Sequence, residues 1–153
     1  MGGYAVSRST TVIADPARVH GLVNDFHAWT AWSPWEDLDP HLVREYAGPD
    51  AGVGARYAWS GNRRAGQGSM EITSSTPDAI GIRLQFLKPF RSTNEVTFTL
   101  TPAVDGTEVV WLMSGRRTGL WGLLGRLFPM DRLIGKDFEK GLARLKAVAE
   151  TPA

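Results

Sequence analysis

The residues able to do chemistry are few and scattered. Three histidines, His20, His27 and His41, show no metal-ligand spacing, and no carboxylate pair accompanies them, so no metal is expected. The chain has no cysteine. This removes disulfides, thiolate metal sites, iron–sulfur clusters and cysteine nucleophiles together, and it suits a reducing cytoplasm, the expected location. Gly66-Gln67-Gly68 lacks the third glycine of a dinucleotide fingerprint and runs into a strand pattern where a helix would be needed. Gly52-Val53-Gly54 fails in the same way, and both read as hairpin turns. No P-loop and no Gly-x-Ser-x-Gly elbow occurs, which leaves covalent catalysis and nucleotide cofactors without support. No cofactor is expected. What remains is general acid–base chemistry from Glu71, Tyr57, Arg56, Arg83 or His27, and nothing in their spacing assigns a catalytic residue.

Composition narrows the classes further. Of 153 residues, 42% are hydrophobic and 22% charged, as in an ordinary globular domain. The expectation is a single domain over 1–153 with an ordered core of about 5–150. Seventeen basic against sixteen acidic residues leave a net charge of +1, and the paired basics are confined to Arg63-Arg64 and Arg116-Arg117. That is too little for a phosphate-backbone footprint, so nucleic acid is not an expected partner. The longest stretch free of Asp, Glu, Lys and Arg is the ten residues from Phe26 to Trp35, about half of what a membrane-spanning helix needs. The first residues lack a signal-peptide core. Six tryptophans are the compositional oddity.

These residues must be positioned by the following elements. Tyr4 to Ala14 reads as a strand. Asp15-Pro16 then supplies a helix N-cap and a first-turn proline, and Val19, Leu22, Val23 and Phe26 form a short apolar stripe. Two short helical pieces and a turn, carrying Trp29, Trp32 and Trp35, precede a strand-rich region. There, runs at 43–47, 55–60, 67–75, 79–87, 92–101 and 107–116 are separated by Gly, Pro, Asn and Asp. Ile80, Ile82, Leu84 and Phe86 alternate with other residues, as do Val96, Phe98 and Leu100, and Val109, Trp111 and Met113. Such alternation buries one face of an antiparallel sheet. Leu120, Leu123, Leu124, Leu127 and Phe128 make a short amphipathic piece closed by Pro129. From Asp131 to about Glu150 a longer helix presents Ile134, Phe138, Leu142 and Leu145. The order predicts an α+β fold, in which a curved seven-stranded antiparallel sheet wraps a long C-terminal helix. Gly135 and Gly141 interrupt that helix, either for close approach to the sheet or to leave space for a guest.

At this point the sequence resembles the SRPBCC superfamily, the helix-grip group that includes START-type lipid-transfer domains, pollen-allergen-type proteins and polyketide cyclases. The likeness runs through Ala14-Asp-Pro-Ala-Arg-Val19, Trp29-Thr-Ala-Trp-Ser-Pro-Trp35, Gly52-Val-Gly-Ala-Arg-Tyr-Ala-Trp-Ser-Gly-Asn62 and Gly66-Gln-Gly-Ser-Met-Glu-Ile72. It continues in Lys88-Pro-Phe90, Gly106-Thr-Glu-Val-Val-Trp111 and Gly135-Lys-Asp-Phe-Glu-Lys-Gly-Leu142. It is greatest to the branch known as polyketide cyclase/dehydrase and lipid transport. The resemblance implies a deep apolar cavity between the sheet and the C-terminal helix. The alternation places Tyr57, Trp59, Met70, Ile72, Leu84, Phe86, Phe98, Trp111 and Met113 on its sheet side, with Ile134 and Phe138 opposite. His27, Trp29, Trp32, Leu124 and Phe128 are candidates for the mouth.

The expected function is binding of a small hydrophobic molecule, a polyketide, lipid or aromatic metabolite. A cyclase or aromatase working by substrate orientation plus one acid–base group is the alternative, and a protein-interaction module the third. Glu71 lies between inward Met70 and Ile72, so it is expected to face solvent near Arg56 or Arg83. Segment 119–130, which includes Trp121, is open between a lid, a homodimer contact and core.

Overall fold

The computed structural model describes residues 3–36, 38–63, 65–88, 91–116 and 130–151. The predicted piece around Leu124 and Phe128, with Trp121, lies outside them. Seven strands follow in chain order: β1 (Gly3–Val12), β2 (Val43–Ala47), β3 (Arg56–Ser60), β4 (Gln67–Thr76), β5 (Ala79–Lys88), β6 (Ser92–Ala103) and β7 (Gly106–Arg116). They form one antiparallel sheet in the order β1-β7-β6-β5-β4-β3-β2. Helix α1 (Pro16–Val23) and a 3₁₀ turn (Ala28–Ala31) lie between β1 and β2, and helix α2 (Met130–Glu150) ends the chain. This is the α+β helix-grip architecture, with the two short helical pieces where the sequence puts them.

Alternation explains the sheet. Ile80, Ile82 and Leu84 on β5, Val96, Phe98 and Leu100 on β6, and Val109, Trp111 and Met113 on β7 are all buried. Glu71 stands half-buried in register between the exposed Arg56 and Arg83, away from that face. Gly66 adopts a φ of +68° in the β3–β4 turn. Gly68, by contrast, is a strand residue of β4, not part of a turn.

The start of α1 departs from expectation. Asp15 occupies the N-cap, but its side chain makes no capping bond; its carbonyl accepts from the Arg18 and Val19 amides at 3.0 and 3.3 Å. The other end is closed by tryptophans. Indole Nε1 of Trp29 donates to Val23 O at 2.8 Å and that of Trp32 to Leu22 O at 2.9 Å, satisfying two carbonyls that a helix C-terminus leaves open. Two residues of the unusual tryptophan content are thereby tied to the end of an eight-residue helix.

Helix α2 packs on β1, α1 and the 3₁₀ turn. The two helical glycines are explained by close approach. A Cβ on Gly141 would lie 2.9 Å from both Pro34 Cδ and Trp111 Cζ3, and one on Gly135 would collide with the Arg8 guanidinium. Arg8, reaching across from β1, binds Glu139 of α2 through Nε at 2.8 Å. At the C-terminal end Arg18 of α1 donates to Ala149 O (2.6 Å), Val148 O (3.0 Å) and Thr151 O (2.8 Å).

Under α2 the core is aromatic. Trp111 stacks on Phe138 with ring centroids 4.0 Å apart and planes 9° from parallel. Trp29, Trp32 and Trp35 meet Trp111 edge-on at 5.7–6.1 Å, and Phe98 lies 4.8 Å from it. Such pairs add roughly 0.5–1.5 kcal/mol each beyond their buried area. Among the described residues the buried Trp111 Nε1 has no hydrogen-bond partner.

Candidate functional site

A cavity of about 220 Å³ opens beside this aromatic core. One wall is sheet: Tyr57 and Trp59 of β3, Met70 of β4, Leu84, Phe86 and Lys88 of β5, and Met113 of β7. The irregular segment after the 3₁₀ turn supplies Ser33, Trp35, Glu36, Leu38 and Leu42, with Trp29 from the turn itself. Ile134 and Asp137 close it from α2, and Ala65 and Gly66 from the β3–β4 turn.

Of the residues the sequence proposes for the cavity, Tyr57, Trp59, Met70, Leu84, Phe86, Met113 and Ile134 lie on its wall, as does Trp29 from the mouth group. Ile72, Phe98, Trp111 and Phe138 do not. They are at most 1% exposed and packed into the solid core: Trp111 lies under Phe138 of α2, Phe98 meets Trp29 and Trp32 edge-on, and Ile72 is enclosed on β4. Trp32 is likewise core, fully buried under α1. His27 is outside the cavity: half-exposed, it stacks on Tyr46 at 4.1 Å and pairs with Asp25 at 2.8 Å. Leu124 and Phe128 lie outside the described residues.

Trp59 is placed by a missing side chain. It sits opposite Gly68 in the β3–β4 register, and a Cβ there would come within 2.5 and 2.8 Å of the indole Cη2 and Cζ2 atoms. The ring therefore lies across the bare strand, where Phe86 meets it edge-on at 5.9 Å. Its Nε1 donates to Ala65 O at 2.8 Å, tying the cavity wall to the turn.

Charge enters at one part of the wall. Glu36 Oε1 accepts from Arg44 Nε and Nη2, each at 2.8 Å, and Tyr57 Oη lies 3.5 Å from Glu36 Oε2. The Glu36 side chain is 15% exposed. Burial, and then the charge of Glu36, push the Tyr57 phenol well above its ordinary value of 10.0. Burial raises Tyr46 in the same way, with Glu36 adding to it. For Arg44 burial works downward, but the bond and charge of Glu36 outweigh it and hold the guanidinium above its ordinary value. Asp137 Oδ2 accepts from Trp35 Nε1 at 3.1 Å. The wall can therefore bind a flat apolar body and meet a polar group with carboxylate oxygens. It carries no nucleophile–base pair among the described residues.

Residues 4–150 match the family described as polyketide cyclase/dehydrase and lipid transport. The chain belongs to that family. Solved structures agree on the fold. Protein CV1439 from Chromobacterium violaceum is 18% identical with a TM-score of 0.70, covering 97% of this chain and 98% of that one. The KanY protein, also 18% identical with a TM-score of 0.70, covers 99% and 100%. DynU16, from the dynemicin biosynthetic locus, is 19% identical with a TM-score of 0.64 over 96% of this chain and 47% of its own. No curated protein matches the chain. Among the described residues no three His, Asp or Glu side chains group as a metal site, and no helix is long and apolar enough to cross a membrane.

The sequence reasoning missed Ser33, Trp35, Glu36, Leu38, Leu42, Ala65, Gly66, Lys88 and Asp137. Asp137 and Lys88 carry a readable signal: Asp137 lies three residues after Ile134 on a helix and so shares its face, and Lys88 continues the Leu84–Phe86 alternation of β5.

Proposed function

We propose that this protein binds a small hydrophobic molecule of polyketide, lipid or aromatic-metabolite type in the cavity between β3–β5, Met113 and the start of α2. The observation that carries the reading is the aromatic wall itself. Trp29, Trp35, Tyr57, Trp59 and Phe86 surround a space with few polar groups, the usual make-up of a small-molecule site. At about 220 Å³ the space falls below the ~300–1,000 Å³ of drug-sized sites. A compact guest of one or two fused rings, or a short chain, fits that volume. The family description, which joins cyclases with lipid transport, and the biosynthetic setting of DynU16 support the same class.

Cyclase activity ranks second. A phenol pushed upward is a weaker acid, and Glu36 is already engaged by Arg44, so the polar groups favour holding a guest over moving its protons. Tryptophan fluorescence tests the reading, because Trp29, Trp35 and Trp59 line the space. Titration with aromatic polyketides, fatty acids and sterols should give saturable micromolar binding for the smaller aromatic members. Met113→Trp should abolish it in a folded protein, and chromatography should return the guest unchanged. A flat response across the panel would reject the reading and favour the protein-interaction module.

A further inference from the structure

The carboxylates of the cavity wall are short of donors. Glu36 Oε1 is taken by Arg44, but the 3.5 Å contact from Tyr57 to Oε2 exceeds the usual O–H···O range of about 2.5–3.0 Å. Asp137 Oδ2 has one donor, Trp35 Nε1, and among the described residues Oδ1 has none. An ionised carboxylate offers about four acceptor positions, and removal from water without partners is costly. Both side chains are largely or half buried, and both belong to the wall of one space.

We propose that the cavity selects a guest carrying a hydrogen-bond donor on an aromatic body, a hydroxyl or a protonated amine, and discriminates against carboxylates. The inference rests on the reading that the cavity holds a small aromatic molecule. A donor head reaches oxygens that are otherwise under-satisfied, while Trp35, Tyr57, Trp59 and Phe86 hold the ring. An ammonium head gains further from the faces of those rings. A carboxylate head meets two like charges. Arg44 is already committed to Glu36, and Lys88, the cation on the wall, is exposed and screened by water.

Isothermal titration of the full chain with four probes of one shape tests this: 2-naphthol, 2-(aminomethyl)naphthalene, 2-naphthoate and 2-methylnaphthalene. The first two should bind at least tenfold more tightly than 2-naphthoate, with 2-methylnaphthalene between. Glu36→Gln should shrink the preference at least threefold, mainly by improving 2-naphthoate, because Arg44 then lacks its counter-ion. Asp137→Asn should shrink it too while its amide oxygen keeps the Trp35 bond, so it serves if Glu36→Gln fails to fold. Equal or tighter binding of 2-naphthoate overturns the inference but leaves the cavity reading intact. So does a preference unchanged in both folded variants. If none of the four binds, the cavity reading falls and the inference with it.

Discussion

Replacing Arg18 by methionine keeps the aliphatic stem and removes the guanidinium that closes the C-terminus of α2. That group makes three bonds to main-chain carbonyls, at 2.6, 3.0 and 2.8 Å. A shielded hydrogen bond from a charged donor nets roughly 1.5–3 kcal/mol, and a cation at a helix C-terminus adds about 0.3–1 kcal/mol. The full sum is not available here. The Thr151 bond is exposed, and a freed last turn can rotate its carbonyls toward water. A loss of about 2–3 kcal/mol is the expected outcome, since only the Ala149 and Val148 bonds are partly shielded. In urea, with a slope of ~1–3 kcal/mol per M, the midpoint should fall by about 1–2 M with the slope unchanged. The melting temperature should drop by roughly 5–10 °C for a domain of this size. Arg18→Lys should recover no more than about half, because one ammonium lacks the planar fork that spans neighbouring carbonyls. A methionine variant within about 0.5 kcal/mol of the parent would refute the reasoning, placing it among ordinary surface changes. Full recovery by lysine would show that charge alone acts, and that the fork geometry does not.

Three further outcomes are expected. Gly141→Ala should destabilise by about 1–3 kcal/mol although helix propensity alone would gain about 1, because Pro34 and Trp111 lie 2.9 Å from the new carbon; thermal melting checks the sign. Gly68→Ala should cost about 1–3 kcal/mol in thermal melts, because the new carbon collides with the Gln85 carbonyl oxygen as well as the Trp59 ring, and should shift the emission spectrum and weaken guest binding in calorimetry. The third concerns alkali. With the Tyr57 value raised by burial and then Glu36, the folded state holds its proton longer than the unfolded chain. This contribution to stability is complete below pH 10 and declines as pH rises beyond it. Tyr57→Phe should remove that part of the alkaline decline, seen as urea midpoints above pH 10, and cost less than about 1 kcal/mol at neutral pH, given its long 3.5 Å contact.

The strands were legible because alternation reports directly on a sheet with one covered face; predicted runs and observed strands differ by no more than two residues at any end. What alternation does not report is the cover. Trp111 and Met113 are two apart on β7 and both point inward, yet one lies under Phe138 and the other faces empty space. That difference is decided by where α2 crosses, through Gly141 and Pro34, a contact between residues more than a hundred positions apart. Glu36 and Arg44 escaped for a related reason. They meet from an irregular segment and an edge strand, and no periodicity links them. Likewise the caps Trp29 and Trp32 give to α1 depend on a chain reversal that carries no local signature.

The sheet is divided along its width. Its β1–β7–β6 side carries α2 on β1, α1 on β6 and β7, and the stacked rings, whereas Tyr57, Trp59, Met70, Leu84 and Phe86 of the β3–β5 side look onto the cavity. A substitution on the second side changes the shape offered to a guest without removing a contact beneath the helix. Descendants of such a chain can drift in what they recognise while their folding stability stays nearly constant. That separation gives a physical route by which one architecture persists among structures sharing fewer than one residue in five with this chain.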